Sequence, residues 1–488
     1  MKREQPAITA RQIAFRLLQE HDRSGEFLSQ LITASEYSGL PAQEKRLAVD
    51  MAETTLRRVY TVDRLLRQVM TRKQSETHPA LWQILRLGVT QLFFMENIPE
   101  HAAIHETVEL ARFIDKPHIT KLINGVLRNL QRMQAGRISY QANISNTTGF
   151  TLINPEQPEA PLEPMRLVPI NDSTAWLLNQ DLFPRPDLAA SRVSTMATYL
   201  AETLSLPDWL VKDWMTDPSI DPIASFARAR RRGLVFLDDP RLTLRVNPLK
   251  STRDDYLAAL QQATIEAVAG DEPQAIRLIK NVSLADLPGY KDGVFSVQDE
   301  TAQKVARLCD PKPHMHVLDL CAAPGSKTTH IAELMKDTGV IVACDIKPAR
   351  LVRVRENATR QGFKSIQTQL IDRTSSQLAG RKFDRILIDA PCSNTGVLHK
   401  RPEVRGRLTP DDIRELSDLQ ADLLHRMLSH LKPGGKLIYS TCSLERDEND
   451  QLISSLLSSS PNYYLEHREQ TEPTSHNDGG FVAVISER

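Results

Sequence analysis

The chain has 488 residues, too many for one compact core, so two to four domains are expected. Its 61 basic and 61 acidic residues cancel to a formal charge of zero, so global electrostatics neither favours nor excludes nucleic acid, and only local patches bear on that question. No apolar run approaches the ~20 residues that cross a bilayer, and the opening MKREQPAITARQ lacks the apolar stretch of a secretory signal, so a cytoplasmic protein with no membrane partner is expected. Residues 6–136 read as helices, because apolar residues recur three or four apart in RQIAFRLLQE, VDRLLRQVM, LWQILRLGVTQLFF and HITKLINGVLRNLQRM.

From 137 to 196 that period is lost. Prolines stand at 155, 158, 161, 164, 169, 184 and 186 among frequent Asn, Ser and Thr, which predicts a linker or irregular insertion. Residues 197–300 read as mixed α+β. SLPDWLVKDWM is a helix with Ser205 as a possible N-cap, LTLRVN a strand, RDDYLAALQQA a helix and GVFSVQDE a strand. FARARRRG groups Arg228, Arg230, Arg231 and Arg232; such a run is usually a solvated helix face, although it could hold phosphates.

Residues 301–488 alternate strand and helix. MHVLDL, VIVACDI, SIQTQLID, DRILIDA and GKLIYST are too apolar to be half exposed, which predicts a parallel sheet covered on both faces. The expected fold is therefore multidomain: an all-α N-terminal bundle over 1–136, the 137–196 linker, an α+β region over 197–300 and an α/β Rossmann-like domain over 301–488.

Ligands of such a sheet bind outside the carboxyl ends of its strands. After the first strand comes DLCAAPGSKTT, where small Ala322, Ala323 and Gly325 let backbone approach a ligand and a helix starting near Lys327 offers free N–H groups. The loop is neither GxGxxG nor a P-loop, so dinucleotide and triphosphate binding are weakly supported. Asp345, Asp372 and Asp389 finish the next three strands, with Asp319 close by. Any one could be a helix N-cap; together they suit the hydroxyl and amino groups of a nucleoside without phosphate, and S-adenosyl-L-methionine meets that description.

The five cysteines all lie between 309 and 442, are odd in number and form no CxxC pair, so neither a disulfide framework nor a zinc site is expected, and no metal. Cys392 follows the fourth strand and Cys442 the fifth, which places both thiols at the ligand edge.

CAAPGSKTTH, DAPCSNTGVL and STCSLERDEN resemble the signature motifs of the RNA cytosine-5 methyltransferases. IPEHAAIHETVELA and LINGVLRNLQR are similar to the NusB-like helical domain of one bacterial branch, the RsmB (Fmu, Sun) enzymes, and LRVNPLK and GVFSVQDETAQ to that branch's RNA-contacting region. The resemblance implies transfer of a methyl group from S-adenosyl-L-methionine to C5 of a cytosine in small-subunit (16S) ribosomal RNA, through a covalent bond between a cysteine and C6. It implies Cys442 as nucleophile, Cys392 assisting release, Asp389 at the cytosine edge and Lys327 at the active site or cofactor. Around the cofactor it implies Cys321, Ala322, Ala323, Pro324, Gly325, Ser326 and Lys327 at the methionine part, Asp345 on the ribose, Asp372 near adenine and Asp389 at the junction with substrate. Ser326 departs from the family's usual second glycine. HKRPEVRGR adds His399, Lys400, Arg401, Arg405 and Arg407, for which phosphate contact is expected, although a solvated loop would have the same sequence. The resemblance implies small-subunit rRNA as the partner, recruited by the N-terminal bundle, and a monomer is expected. The alternatives are a tRNA cytosine-5 methyltransferase and a non-catalytic RNA-binding or assembly factor on the same scaffold.

Overall fold

The computed structural model describes residues 8–32, 41–145, 149–186, 193–217 and 220–488. The chain forms two compact units, Met1–Asp239 with Leu398–Arg407, and Pro240–Val397 with Leu408–Arg488. Among the described residues no helix is long and apolar enough to cross a membrane.

The first unit opens with helices Ala10–Ser24, Ala42–Arg57, Val59–Val69, Pro79–Phe94, Glu100–Phe113 and Thr120–Met133. Pro79–Phe94 is apolar almost all round and is buried along nearly its whole length, as a central helix must be. Buried Asp63 ties it to its neighbour, accepting from Trp82 Nε1 at 2.8 Å and from Arg86 at 2.8 and 2.7 Å.

Over 137–196 the linker reading needs correction, because two antiparallel sheets are built from this stretch. Gln134–Ser139, Thr174–Leu178 and Leu167–Pro169 form one antiparallel sheet, and Gln141–Ser145, Gly149–Asn154 and Gln157–Leu162 another. Three of the seven prolines lie on edge strands, where proline is tolerated: Pro158 and Pro161 on an edge strand of one sheet, Pro169 on an edge strand of the other.

Two basic stretches also differ from expectation. Within FARARRRG, Arg228 bonds the Trp214 carbonyl and Asp217, Arg230 lies over the Tyr140 and Phe150 rings, and buried Arg232 lies over Trp214. Only Arg231 is exposed, so the run serves packing more than phosphate. In Leu398–Arg407, the Arg405 guanidinium is 1% exposed and donates to the carbonyls of Ser205, Leu398 and Phe236 at 3.0, 2.6 and 2.6 Å. His399 is buried and stacked on Phe236, while Arg401 and Arg407 lie over Phe27. Burial withdraws Arg405 and His399 from any phosphate. Ser205 is not an N-cap either: the helix Asp208–Met215 is preceded by Pro207, and Ser205 Oγ accepts from the Tyr60 N–H.

The second unit begins with an antiparallel four-stranded sheet in the order Phe295–Val297, Thr243–Val246, Ala275–Leu278, Ala267–Ala269, packed with the helix Arg253–Gln262. Its larger sheet has seven strands: β1 (His316–Asp319), β2 (Val340–Asp345), β3 (Ile366–Leu370), β4 (Phe383–Asp389), β5 (Leu431–Thr441), β6 (Tyr463–Thr471) and β7 (Gly480–Glu487). The order is β3-β2-β1-β4-β5-β7-β6. The first five strands are parallel, as expected, whereas β7 runs antiparallel to β5 and to β6. The core beneath is aliphatic, with Leu318, Val342, Ile386, Ile388 and Leu437 all buried.

Candidate active site

Because β1, β2, β4 and β5 are parallel, Asp319, Asp345, Asp389 and Thr441 all end at one edge of the sheet. The loop after β1 runs into the helix Ser326–Leu334 through Gly325. Gly325 has φ 99°, and a Cβ there would meet Val354 Cα at 3.2 Å, so this position is glycine for two reasons. The loop is held from below: the Ala322 N–H donates to the Cys344 carbonyl at 2.8 Å, Arg350 to the Ala323 carbonyl at 3.1 Å and Asn357 to the Pro324 carbonyl at 3.0 Å. Ser326 is the first helical residue and is not in the left-handed region, so serine sits there without backbone strain. Burial raises the Cys321 thiol far above its ordinary value, which makes it part of the loop wall rather than a nucleophile.

Asp319 is buried; its Oδ2 accepts from Thr328 at 2.6 Å and its Oδ1 has no hydrogen-bond partner. Burial, with the Asp389 and Asp345 charges adding, pushes its carboxyl up to about 7. Asp345 is 2% exposed; Oδ1 accepts from the Lys347 N–H at 2.9 Å, and Oδ2 lies 3.2 Å from Arg350 without the alignment of a hydrogen bond. Buried acceptors with open lone pairs beside a small-residue loop fit the hydroxyl and amino donors of a nucleoside.

Asp372 stands apart from these acids. It is exposed, and its oxygens accept from Thr374, Ser376 and Gln377, bonds that hold its carboxyl well below the usual range. The side chain shapes the 372–377 turn.

The β4–β5 register sets Asp389 opposite Ser440, whose Oγ donates to Asp389 Oδ1 at 2.8 Å. Lys327 Nζ donates to Asp389 Oδ2 at 2.8 Å. Burial pulls the Lys327 ammonium down, but the Asp389 carboxylate outweighs it and the net shift is upward. Lys327 therefore is not the exposed lysine that helix starts often carry: its side chain is 14% exposed. A cavity opens here, lined by Lys327, Asp389, Ser440, Thr441 and Cys442 together with Thr301, Lys304 and Phe481.

Cys392 and Cys442 meet at this edge, Sγ to Sγ 3.2 Å. The Gly396 N–H donates to the Cys442 carbonyl at 2.9 Å, closing the two loops together. Cys442 Sγ lies 3.3 Å from Asn394 Oδ1, and Asn394 Nδ2 donates to the Cys392 carbonyl at 2.8 Å. The bond to Cys442 and burial raise the Cys392 thiol well above its ordinary value. Cys309 and Cys344, by contrast, are core residues that burial pushes up to about 12.

Sequence reasoning passed over the supports of this site. Ser440, Asn394, Ser393, Ser443 and Glu448 lie within the two quoted motifs, and the acids of LERDEN were the available signal. Arg245, in LTLRVN, has no local mark: its partner Glu333 is 88 positions away.

The comparisons with known proteins agree with this architecture. Residues 306–483 match the model of the family described as 16S rRNA methyltransferase RsmB/F, residues 8–132 the NusB family and residues 206–285 a Methyltr_RsmF/B-like, ferredoxin-like domain. The probable ribosomal RNA small subunit methyltransferase B of Bacillus subtilis (strain 168) is 30% identical over 95% of this chain and 90% of its own length. The ribosomal RNA small subunit methyltransferase B of Proteus mirabilis (strain HI4320) is 31% identical over 98% of each chain. Among solved structures, PH0851 superposes with a TM-score of 0.71 at 22% identity over 99% of this chain and 100% of its own, a likeness of fold. A methyltransferase homolog protein from Pyrococcus horikoshii gives 0.53 at 27% identity over 62% of this chain and 100% of its own. With that similarity extending over nearly the whole length of the chain, the chain belongs to the ribosomal RNA small subunit methyltransferase B family.

Proposed function

We propose that this protein methylates C5 of a cytosine in small-subunit ribosomal RNA, with S-adenosyl-L-methionine as donor and Cys442 as nucleophile. The observation that carries the reading is the pair of thiols 3.2 Å apart at the ends of adjacent parallel strands, beside the cavity that also holds Lys327 and Asp389. The relatives' names supply the substrate class.

The donor offers a methyl on a sulfonium, and cytosine C5 is too weak a nucleophile to take it unaided. Cys442 thiolate adds to C6, forming the S–C6 bond and leaving C5 electron-rich. C5 then takes the methyl as the methyl–sulfonium bond breaks and the donor leaves as a neutral thioether; the C5 proton passes to water, and the S–C6 bond breaks with return of the C5–C6 double bond. Cys392, hydrogen-bonded to the departing sulfur, assists that last step. Asp389, held by Lys327 and Ser440, faces the cytosine edge near N3, and the Lys327 ammonium beside it steadies the negative charge that builds there. Toward the donor, residues 321–327 line the methionine part, Asp345 takes the ribose hydroxyls, and Asp372 shapes the turn near adenine. The target atom lies on a base face, so the RNA must present it single-stranded or extruded.

The test is methyl transfer from labelled S-adenosyl-L-methionine to unmodified small-subunit rRNA, read as 5-methylcytidine after nucleoside digestion. Cys442→Ser should abolish it, and retained turnover would overturn the assignment. Cys392→Ala should accumulate a covalent protein–RNA adduct on a denaturing gel; an adduct with Cys442→Ala instead would reverse the two roles.

A further inference from the structure

Two thiols in contact raise a question that the covalent mechanism leaves open: what makes one the nucleophile and the other its helper? Glu448 lies near the end of the second cysteine motif and is 0% exposed. Its Oε1 accepts from the Ser393 N–H and from Gln420 Nε2, both at 2.9 Å. Its Oε2 accepts from Ser393 Oγ and from Ser443 Oγ, both at 2.5 Å. Ser393 follows Cys392 and Ser443 follows Cys442, so one carboxylate grips both cysteine loops. Every contact is one in which the carboxylate accepts, and four donors fill its capacity. Its own backbone is fixed as well, since Tyr439 Oη donates to the Glu448 carbonyl at 2.7 Å.

The charges around the pair are unequal. The Glu448 charge bears on Cys392 and opposes ionisation there. The Lys327 ammonium, with Asp389 as its partner, lines the same cavity as Cys442, while the Cys442 thiol donates to Asn394 Oδ1 at 3.3 Å. A thiolate forms more readily beside a cation than beside a buried anion.

We infer that Glu448 is a positioning residue for the two thiols: it clamps both cysteine loops and, with two bonds to Ser393 and one to Ser443, sets a buried negative charge next to Cys392, so that Cys392 is held as the helper and Cys442 as the attacking sulfur. This rests on the reading of Cys442 as nucleophile. Cys392 then stays a donor toward the Cys442 sulfur, which is the state that eases departure of that sulfur from C6.

The test uses the full chain with Glu448→Gln, which keeps shape and burial and removes the charge. Iodoacetamide labelling with peptide mapping gives the Cys442:Cys392 alkylation ratio, and steady-state kinetics gives kcat and KM. The ratio should fall about tenfold, the equivalent of one pKa unit, and kcat should fall while KM for S-adenosyl-L-methionine holds. An unchanged ratio and kcat in a folded variant would overturn the inference. Should Glu448→Gln fail to fold, Ser443→Ala decides: it removes one donor from the carboxylate and should lower kcat about threefold with KM for the donor unchanged, a modest loss that matches one bond. Full kcat in Ser443→Ala would overturn the clamp. Turnover retained by Cys442→Ser would defeat the nucleophile reading instead, and the alkylation ratio of Glu448→Gln is read independently of turnover.

Discussion

Replacing Arg245 with methionine should be among the most damaging single changes in the second unit. The Arg245 guanidinium is 0% exposed and donates to Glu333 at 2.9 and 2.7 Å, to Thr329 at 3.1 Å and to the Ser326 carbonyl at 2.9 Å, with a further bond to Gln298. The Glu333 side chain is also 0% exposed. Arg245→Met keeps most of the packing but leaves a buried carboxylate without its cation, a loss of about 3–5 kcal/mol. The intact pair contributes far less than that, because taking both charges out of water offsets most of their attraction. Arg245→Met/Glu333→Leu should therefore recover stability to within about 2 kcal/mol of the parent.

The pH dependence follows from the same pair. Burial already raises the Glu333 carboxyl above its ordinary 4.5, and Arg245 is what opposes the rise. A carboxyl raised in the fold binds its proton more tightly there than in the unfolded chain, so protonation stabilises the fold. As pH rises from 4.5 toward neutrality the single variant should lose more stability than the parent does, and the double variant should not exceed the parent's loss. Urea titrations across that range measure both. A single-variant loss below about 1 kcal/mol, or a double variant no more stable than the single, would refute the reasoning.

Three further outcomes follow. Gly325→Ala, at φ 99° and against Val354 Cα, should cost about 1–3 kcal/mol and weaken S-adenosyl-L-methionine binding by calorimetry; parent-like affinity would contradict the loop's role. Asp319 is raised from 3.8 to about 7, so the parent should lose stability as pH climbs between those values and Asp319→Asn should flatten that slope, read as thermal midpoints across the range. Asp372→Ala should speed amide hydrogen exchange at Thr374 and Ser376 by about tenfold or more while the thermal midpoint barely moves, since its bonds are confined to one exposed turn.

Strand-end chemistry was legible in the sequence because it needs only two facts, that apolar runs alternate with helical ones and that ligands meet the carboxyl ends of parallel strands. The strand-end positions of Asp345, Asp389, Cys392 and Cys442 follow from that grammar, while the division of roles between the two thiols is implied only by the resemblance to methyltransferase motifs. Pairings between distant positions were not legible. Nothing in LTLRVN announces that Arg245 will bond Glu333, nor in HKRPEVRGR that Arg405 will be consumed by three carbonyls. Asp372 shows a third limit: a strand-end acid looks the same in sequence whether its oxygens wait for a ligand or are filled by the next turn. The strands within 137–196 were hidden because proline counts against a strand only in its interior, and edge position is a tertiary fact.

The central claim is that Cys442 forms the bond to cytosine. Digestion of the adduct formed by Cys392→Ala with unmodified small-subunit rRNA, followed by mass spectrometry of the nucleotide-bearing peptide, tests it most directly. The account predicts a cytidine on the peptide that contains Cys442, whereas a modified peptide from any other part of the chain, or 5-methylcytidine formed in full by Cys442→Ser, would contradict it.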